Sequence, residues 1–270
     1  MRFQIAILPG VLTLALATAG CNGSSSSTNS STSTSVTASP SGIWSGSDSQ
    51  SGLALTAFIN SAGQVDVIRA DGVQYVGTAQ VSGSELAIAL DGYAQFGAEF
   101  PDGSTAGVGT LSATFSASST ISGTFSFTTS ANTVTSSTWS LAFDSIYDTP
   151  SSLSAITGSY TEPLPAVTGG ADPMQGANLT ITGLGGISGQ GGSSGCVLSG
   201  TVTIGDASYN LYEIAYKLSE CTGAFATLNG VPFTGLAEIN SNASPAQFVI
   251  GVTGQLSGTY YALVSALAAG

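Results

Sequence analysis

The chain has 270 residues, a formal net charge of −12 and no histidine. Its 15 acidic residues against 3 basic ones cannot neutralise nucleic-acid phosphates by counterion release, which excludes nucleic acid as a partner. Charged residues make up only 7% of the chain. Ser, Thr, Gly and Ala dominate the rest, a composition typical of extracytoplasmic β-proteins rather than of long helices.

Residues 1–20 have the order of an export signal. Arg2 precedes an apolar run over residues 5–16, and small residues follow it. The run is shorter than the roughly 20 residues that a permanent membrane helix needs. We therefore predict a signal peptide at this end of the chain.

The signal ends in Ala19-Gly20-Cys21, which resembles the lipobox of bacterial lipoproteins, with Thr18 where that motif has Leu. The resemblance implies that Cys21 becomes the mature N-terminus and carries several acyl chains, palmitate among them. Two or more chains give stable anchoring to a membrane. Asn22 stands in place of the Asp associated with inner-membrane retention, which implies the outer membrane of a Gram-negative bacterium.

Ordinary secretion is the alternative, because Ala17-Thr18-Ala19 also fits the small-x-small pattern of a common signal peptidase site. Such cleavage would leave Cys21 unpaired on an exported protein. Lipidation uses Cys21 and leaves Cys196 and Cys221 as an even pair for an oxidising compartment. Cysteine counting therefore favours the lipoprotein.

Residues 21–40 follow the signal as an acylated cysteine and a stretch of Ser, Thr, Asn and Gly, which predicts a disordered tether. Without the signal, 2 basic residues (3 − 1) face 15 acidic ones, and the formal charge is near −13 (2 − 15). A surface with this much negative charge cannot bind anionic lipid electrostatically. We therefore expect the acyl anchor to make the membrane contact.

From residue 41 onward, short β-branched and aromatic runs alternate with Gly, Asn and Asp, and no stretch of ten or more residues keeps a helical period. The pattern predicts an all-β fold with two tandem small antiparallel β-barrel or β-sandwich domains, over residues 41–148 and 149–270. One long β-sandwich with insertions is the alternative. The predicted strands are 53–60, 64–70, 73–81, 85–90, 107–117, 120–128, 137–143, 158–161, 178–182, 196–204, 211–218, 233–239, 247–252 and 256–264.

A loose internal duplication accompanies this division. Gly42-Ile43-Trp44 opens the first half and Gly158-Ser159-Tyr160 opens the second, 116 residues later (158 − 42). Each half closes on an aromatic-led run, over residues 139–143 and 260–264. The Gly-x-Trp opening resembles that of lipocalin-like barrels.

Asp71-Gly72 is the sharpest turn signal. A two-residue type I′ turn there places Ala70 opposite Val73 and Ile68 opposite Tyr75, so that Ile68 and Tyr75 share one face. Two further pairs, Asp91-Gly92 and Asp102-Gly103, are predicted to be turns as well.

Cys196 and Cys221 flank a predicted hairpin. Pointing the apolar residues of both strands inward places Glu220 opposite Cys196, with Cys221 one residue beyond and facing away. A bulge, or the loop at Thr222-Gly223, has to turn Cys221 back for a disulfide to form. We predict this disulfide over free thiols, and over a metal site, because no third or fourth soft ligand exists.

Candidate catalytic residues are few. Without histidine, Ser-His-Asp and Cys-His arrangements are excluded. Lys217 and Glu213 are predicted to form a surface ion pair, and Glu99 and Asp102 to lie in a solvated loop. Seven glycines in residues 183–195 are interpreted as a flexible hairpin tip, since no phosphate-loop Lys-Ser/Thr or helix follows. No catalytic residue, cofactor or metal is therefore expected.

Three functions remain open, and the first is the expected one. It is a non-enzymatic module that binds an envelope protein or glycan through exposed loops and aromatic residues. The second is a lipocalin-like carrier of a small ligand, which barrel interiors filled by Tyr, Phe and Ile side chains would exclude. The third is a carboxylate-based hydrolase that uses Glu99 and Asp102.

Overall fold

The computed structural model describes residues 39–162 and 167–270, which fold into two closed antiparallel β-barrels. The predicted signal peptide, the lipidation site Cys21 and nearly all of the predicted tether lie outside the described residues. The all-β prediction is confirmed, and barrel closure excludes the single long sandwich. No helix in the two described ranges has the length and apolar character needed to cross a membrane.

Barrel 1 is an up-and-down barrel, in which each strand pairs with its neighbour in sequence and the last pairs with the first. Closure leaves no free sheet edge that could pair with another chain. Its strands are β1 (Gly42–Asp48), β2 (Ala54–Ile59), β3 (Gln64–Arg69), β4 (Gln74–Ser82), β5 (Glu85–Tyr93), β6 (Ala106–Ser116), β7 (Thr120–Thr129) and β8 (Val134–Asp144).

Barrel 2 repeats this plan, with its first strand paired to both the second and the last. A 3₁₀ turn (Ser145–Asp148) and the short helix α1 (Leu153–Ile156) connect the barrels, and a second 3₁₀ turn spans Gly223–Leu228. The strands are β9 (Gly158–Thr161), β10 (Asn178–Ile181), β11 (Gly186–Gln190), β12 (Val197–Ile204), β13 (Tyr212–Ser219), β14 (Pro232–Asn240), β15 (Gln247–Leu256) and β16 (Thr259–Ala269).

Each barrel has its own filled interior, because inward and outward residues alternate along the strands. In barrel 1 the fully buried rings include Trp44, Trp139 and Tyr75, and in barrel 2 Tyr212 and Phe248. A guest held deep inside a barrel, as the carrier hypothesis requires, would have to displace these side chains.

The barrels also pack against each other through apolar side chains on their outer faces, and residues 39–162 and 167–270 belong to one compact unit. Tyr147 stacks on Tyr209 with ring centroids 4.4 Å apart. The Gln74 side-chain amide of barrel 1 donates to the Leu263 carbonyl of barrel 2 at 2.9 Å. The apolar residues of this contact are Ile43, Phe58, Ile68, Ile146, Tyr147, Leu211, Leu236 and Val264.

Two strands were not predicted, β1 and β11. The latter lies inside residues 183–195, so the interpretation of this whole stretch as a flexible tip is wrong. A Cβ at Gly189 would lie 2.5 Å from the Asn178 carbonyl oxygen, so this glycine allows two strands to approach closely.

The Asp91-Gly92 turn prediction is also wrong, because both residues lie inside β5 and pair with β6. A Cβ at Gly92 would lie 2.4 Å from the Phe127 ring, so this glycine makes room for an aromatic side chain. The prediction at Asp102-Gly103 is confirmed: Gly103 has a φ of +81° and its N–H donates to the Phe100 carbonyl at 2.9 Å.

The predicted register of the β3–β4 hairpin is wrong by one residue. Arg69 pairs with Val73 across a three-residue loop, with an N–O distance of 2.8 Å. Gly72 has a positive φ of +88° and Asp71 does not, which fits a type I turn with a bulge rather than a type I′ turn.

The one-residue difference reverses the two faces of β3. Val67, rather than Ile68, lies opposite Tyr75 inside barrel 1. Ile68 and Asp66 instead face barrel 2 from the outer surface of barrel 1.

Candidate functional site

The loops after β1, β3, β5 and β7 meet at one end of barrel 1 and surround a cavity of about 670 Å³, which we call the mouth cavity. Apolar side chains such as Leu53, Val73 and Pro101 form much of its wall. Small-molecule sites in proteins have volumes of about 300–1,000 Å³, so the mouth cavity can hold a small organic molecule.

A layer of packed aromatic rings closes the floor of the mouth cavity. The Tyr75 and Phe125 ring centroids lie 5.0 Å apart, and those of Phe125 and Trp139 lie 4.2 Å apart. Phe100, from the β5–β6 loop, packs on Phe127 with the two ring centroids 5.1 Å apart. A ligand would therefore be confined to the mouth and would rest on an apolar floor.

Asp48 ends β1 and joins the wall of the cavity to β8. Its carboxylate accepts hydrogen bonds from the Ser137 hydroxyl at 2.8 Å, the Trp139 indole N–H at 3.0 Å, and the Gln50 and Ser51 backbone amides at 2.9 and 2.8 Å. Burial acts to raise the pKa of Asp48, but these hydrogen bonds outweigh it and lower that pKa. The group is a fixed anion that orders the β1–β2 turn.

Arg69 provides the positive charge that lines the mouth cavity, the only one among the lining residues in the described ranges. Its Nε and Nη2 atoms each lie 2.8 Å from an Asp71 carboxylate oxygen, and its Nη1 lies 3.0 Å from the Tyr75 hydroxyl. Burial disfavours the charged guanidinium, but the hydrogen bond to Asp71 raises the pKa of Arg69. Within the described residues these contacts use three of its five N–H groups.

Glu99 and Asp102 lie on the rim of the mouth cavity, in the loop predicted to be solvated. The Asp102 carboxylate accepts hydrogen bonds from the Ser104 hydroxyl at 2.6 Å and from the Thr129 hydroxyl. These bonds hold the pKa of Asp102 well below its usual range. Together with Asp48 and Asp71, the lining carries four carboxylates and one guanidinium, a formal charge of −3 (1 − 4).

The mouth cavity also has a lining residue from the connection between β9 and β10. Residues 167–172, which we call the strap, cross from barrel 2 onto barrel 1, and Gly169 lines the cavity. The Thr168 N–H donates to the Ala70 carbonyl at 3.2 Å, and the Ala171 N–H donates to the Phe96 carbonyl at 2.6 Å. The strap therefore contributes to the lining of a site that is otherwise formed by barrel 1.

The predicted disulfide between Cys196 and Cys221 is confirmed. Val197 pairs with Ser219, so the predicted register, with Glu220 opposite Cys196, is also correct. Glu220 has a φ of +59°, and this local reversal turns Cys221 back toward its partner.

The predicted ion pair between Glu213 and Lys217 is wrong. Both side chains are exposed on β13, but four residues of strand separate their Cα atoms by about 13 Å. The one salt bridge among the described residues joins Arg69 and Asp71. The same residues contain no cluster of three or more His, Cys, Asp or Glu side chains suited to a metal ion.

Sequence reasoning missed Asp48, Arg69 and Tyr75 as cavity residues. Arg69 offered a signal, since it is one of only two basic residues after the predicted signal peptide and lies next to the Asp71-Gly72 turn. No sequence signal identified Asp48 as a cavity residue, because the strand that contains it, β1, was not predicted.

The fold and the site define a class, an all-β protein of two tandem eight-stranded barrels with a small-molecule-sized cavity at the mouth of the first. No protein-family model, curated protein or solved structure matches this chain.

Proposed function

We propose that this chain is a lipid-anchored, non-enzymatic binding protein of the bacterial outer membrane that holds a small ligand in the mouth cavity. The observation that carries the ligand site is the apolar-walled cavity of about 670 Å³ at the open end of barrel 1. A small molecule is favoured over a protein or glycan partner because the site is concave and has a closed floor.

The charge of the lining limits which ligands the cavity accepts. Asp48 and Asp102 are held as anions by hydrogen bonds, and the Arg69 charge is already paired with Asp71. A ligand with a neutral apolar body therefore fits the wall and floor, whereas an anionic one meets net repulsion.

The proposal assigns no catalytic role to Glu99 and Asp102. A glycosidase needs one carboxyl group with a raised pKa to act as the general acid. The hydrogen bonds from Ser104 and Thr129 shift the pKa of Asp102 in the opposite direction.

A neutral apolar dye such as Nile red tests the ligand site. We expect one saturable site per chain, with a dissociation constant that rises roughly tenfold or more in Ala98→Trp, because the indole occupies part of the cavity. Ala87→Trp, on the exposed outer face of β5, is the matched control and should bind the dye as the native chain does. Absence of saturable binding, or full affinity in Ala98→Trp, would overturn the proposal.

The lipid anchor rests on the Ala19-Gly20-Cys21 motif and on cysteine counting. The Cys196–Cys221 disulfide uses two of the three cysteines in the sequence and leaves Cys21 without a second cysteine in this chain. A disulfide is also typical of an exported protein, as acylation requires.

Mass spectrometry of the mature protein from a Gram-negative host tests the anchor. We expect an N-terminus at Cys21 with acyl chains attached, and release of the protein from outer membranes in Cys21→Ser. A chain that begins at Gly20 and carries no fatty acid would contradict this part of the proposal and leave the ligand site untouched.

A further inference from the structure

The strap is anchored in barrel 2 by two carboxyl groups that face each other, Glu162 and Asp172. Glu162 is fully buried at 0% exposure, and its Oε1 accepts a hydrogen bond from the Ala266 N–H at 3.0 Å. Glu162 Oε2 and Asp172 Oδ2 are both buried, and neither oxygen has a hydrogen-bond partner of normal geometry among the described residues. Asp172 Oδ1 accepts from the Met174 N–H at 2.7 Å, which fixes the end of the strap.

Among the described residues, the groups around this pair offer no compensating positive charge. Tyr216 on β13 is the titratable side chain that faces both carboxyls, and β16 contributes the Ser265 hydroxyl. Burial, and then the charge of Asp172, raise the pKa of Glu162 well above its usual range, and burial raises the pKa of Asp172. Two buried carboxyls without a cation cannot both ionise at low cost, so a pair that retains one proton is the favourable state.

We propose that the proton shared by Glu162 and Asp172 holds the strap against barrel 1 and so regulates ligand binding in the mouth cavity. The ligand part of this inference rests on the proposed function, whereas the strap part does not. The strap connects the two sites directly, because Asp172 lies one residue after Ala171, which bonds to Phe96 at the cavity end.

The proton balance sets the direction of the effect. When the shared proton leaves to solvent as pH rises, two buried anions repel each other. Asp172 is the partner that moves toward water, because its residue is only partly buried, whereas Glu162 is fully buried and bonded to the Ala266 N–H. Its movement pulls on Ala171 and Thr168, and the mouth cavity loses the wall formed by Gly169. The strap is therefore docked at lower pH and released at higher pH.

Amide hydrogen exchange of Thr168 and Ala171 measures strap docking without any ligand. After correction for intrinsic exchange rates, we expect native protection of both amides to fall roughly tenfold or more between about pH 5 and about pH 9. In Glu162→Gln, which keeps the shape and a donor toward Asp172 but cannot titrate, protection should stay high throughout. Glu238→Gln removes another buried carboxyl, away from the strap, and should keep the native pH dependence.

Constant native protection across this range, or an unchanged pH dependence in Glu162→Gln, would overturn the inference. Asp172→Asn provides the same test if Glu162→Gln does not fold. Nile red titrations of the same samples separate the two proposals. Failure of the dye to bind at any pH counts against the ligand site, whereas pH-dependent exchange that Glu162→Gln abolishes supports the strap in either case.

Discussion

Asp66→Asn is expected to stabilise the folded protein by about 4 kcal/mol above neutral pH and to have little effect below about pH 4. The reason is the position of Asp66 between the two barrels, where it is 1% exposed and neither carboxyl oxygen has a hydrogen-bond partner of normal geometry. Burial raises the pKa of Asp66 from 3.8 to about 7, and the Leu236 backbone amide offsets this only in part. Asn keeps the shape of the side chain and removes the charge.

The sign follows from proton linkage. Because the pKa of Asp66 is higher in the folded chain than in the unfolded chain, the folded state binds the proton more tightly. The favourable contribution is complete below the unfolded pKa and is lost as pH rises through about 7. The difference in free energy of unfolding between Asp66→Asn and the native chain should therefore grow over this range and then level off.

Chemical denaturation of both proteins at a series of pH values measures this difference. Taking the difference removes the contributions of Glu238 and of the Glu162–Asp172 pair, which act in the same direction in both proteins. Glu85→Gln is the control, since it removes an exposed carboxylate and should change stability by no more than about 0.5 kcal/mol. A variant that is less stable than the native chain at high pH would contradict the buried position of Asp66.

The register of the β12–β13 hairpin could be predicted from the sequence because each strand has one apolar and one polar face. Leu198 lies opposite Leu218, and Val202 opposite Ile214, as the alternation required. That register alone also predicted that the chain must reverse direction locally for Cys221 to reach Cys196.

The β3–β4 hairpin could not be predicted in the same way, because both faces of β3 are buried. Val65 and Val67 fill barrel 1, while Asp66 and Ile68 lie against barrel 2. Apolar alternation then no longer marks the inner face, and a two-residue and a three-residue loop both end in the same Asp-Gly pair. A single sequence does not reveal which outer surface a second barrel covers.

Part of the mouth cavity could be predicted from the sequence. In an up-and-down barrel alternate loops share one end, so the predicted strands would have grouped the Asp71 turn with the Glu99–Asp102 loop. The sequence alone leaves the choice between barrel and sandwich open, and a sandwich groups loops differently. The position of the strap could not be predicted from the sequence, because its contact between Thr168 and Ala70 joins residues that are 98 apart in the chain.

Replacing both Cys196 and Cys221 with Ala is expected to lower the free energy of unfolding by about 3 kcal/mol. The disulfide closes a loop between residues 25 apart in sequence, and removing it releases the unfolded chain from that constraint. It also ties the end of β13 to the start of β12, next to the point where Asn229 bonds to the backbone of Cys221 at 2.8 and 3.0 Å.

Chemical denaturation with and without reductant separates the contribution of the disulfide to stability from the effect of the two substitutions on side-chain packing. Reductant should lower the stability of the native chain by a similar amount and leave the double variant unchanged. Cys21→Ser, with the disulfide intact, is the matched control and should retain native stability. Equal stability of the native and double-variant chains would mean that the bond adds nothing to barrel 2. The expected loss would instead make full stability depend on conditions that keep the disulfide oxidised.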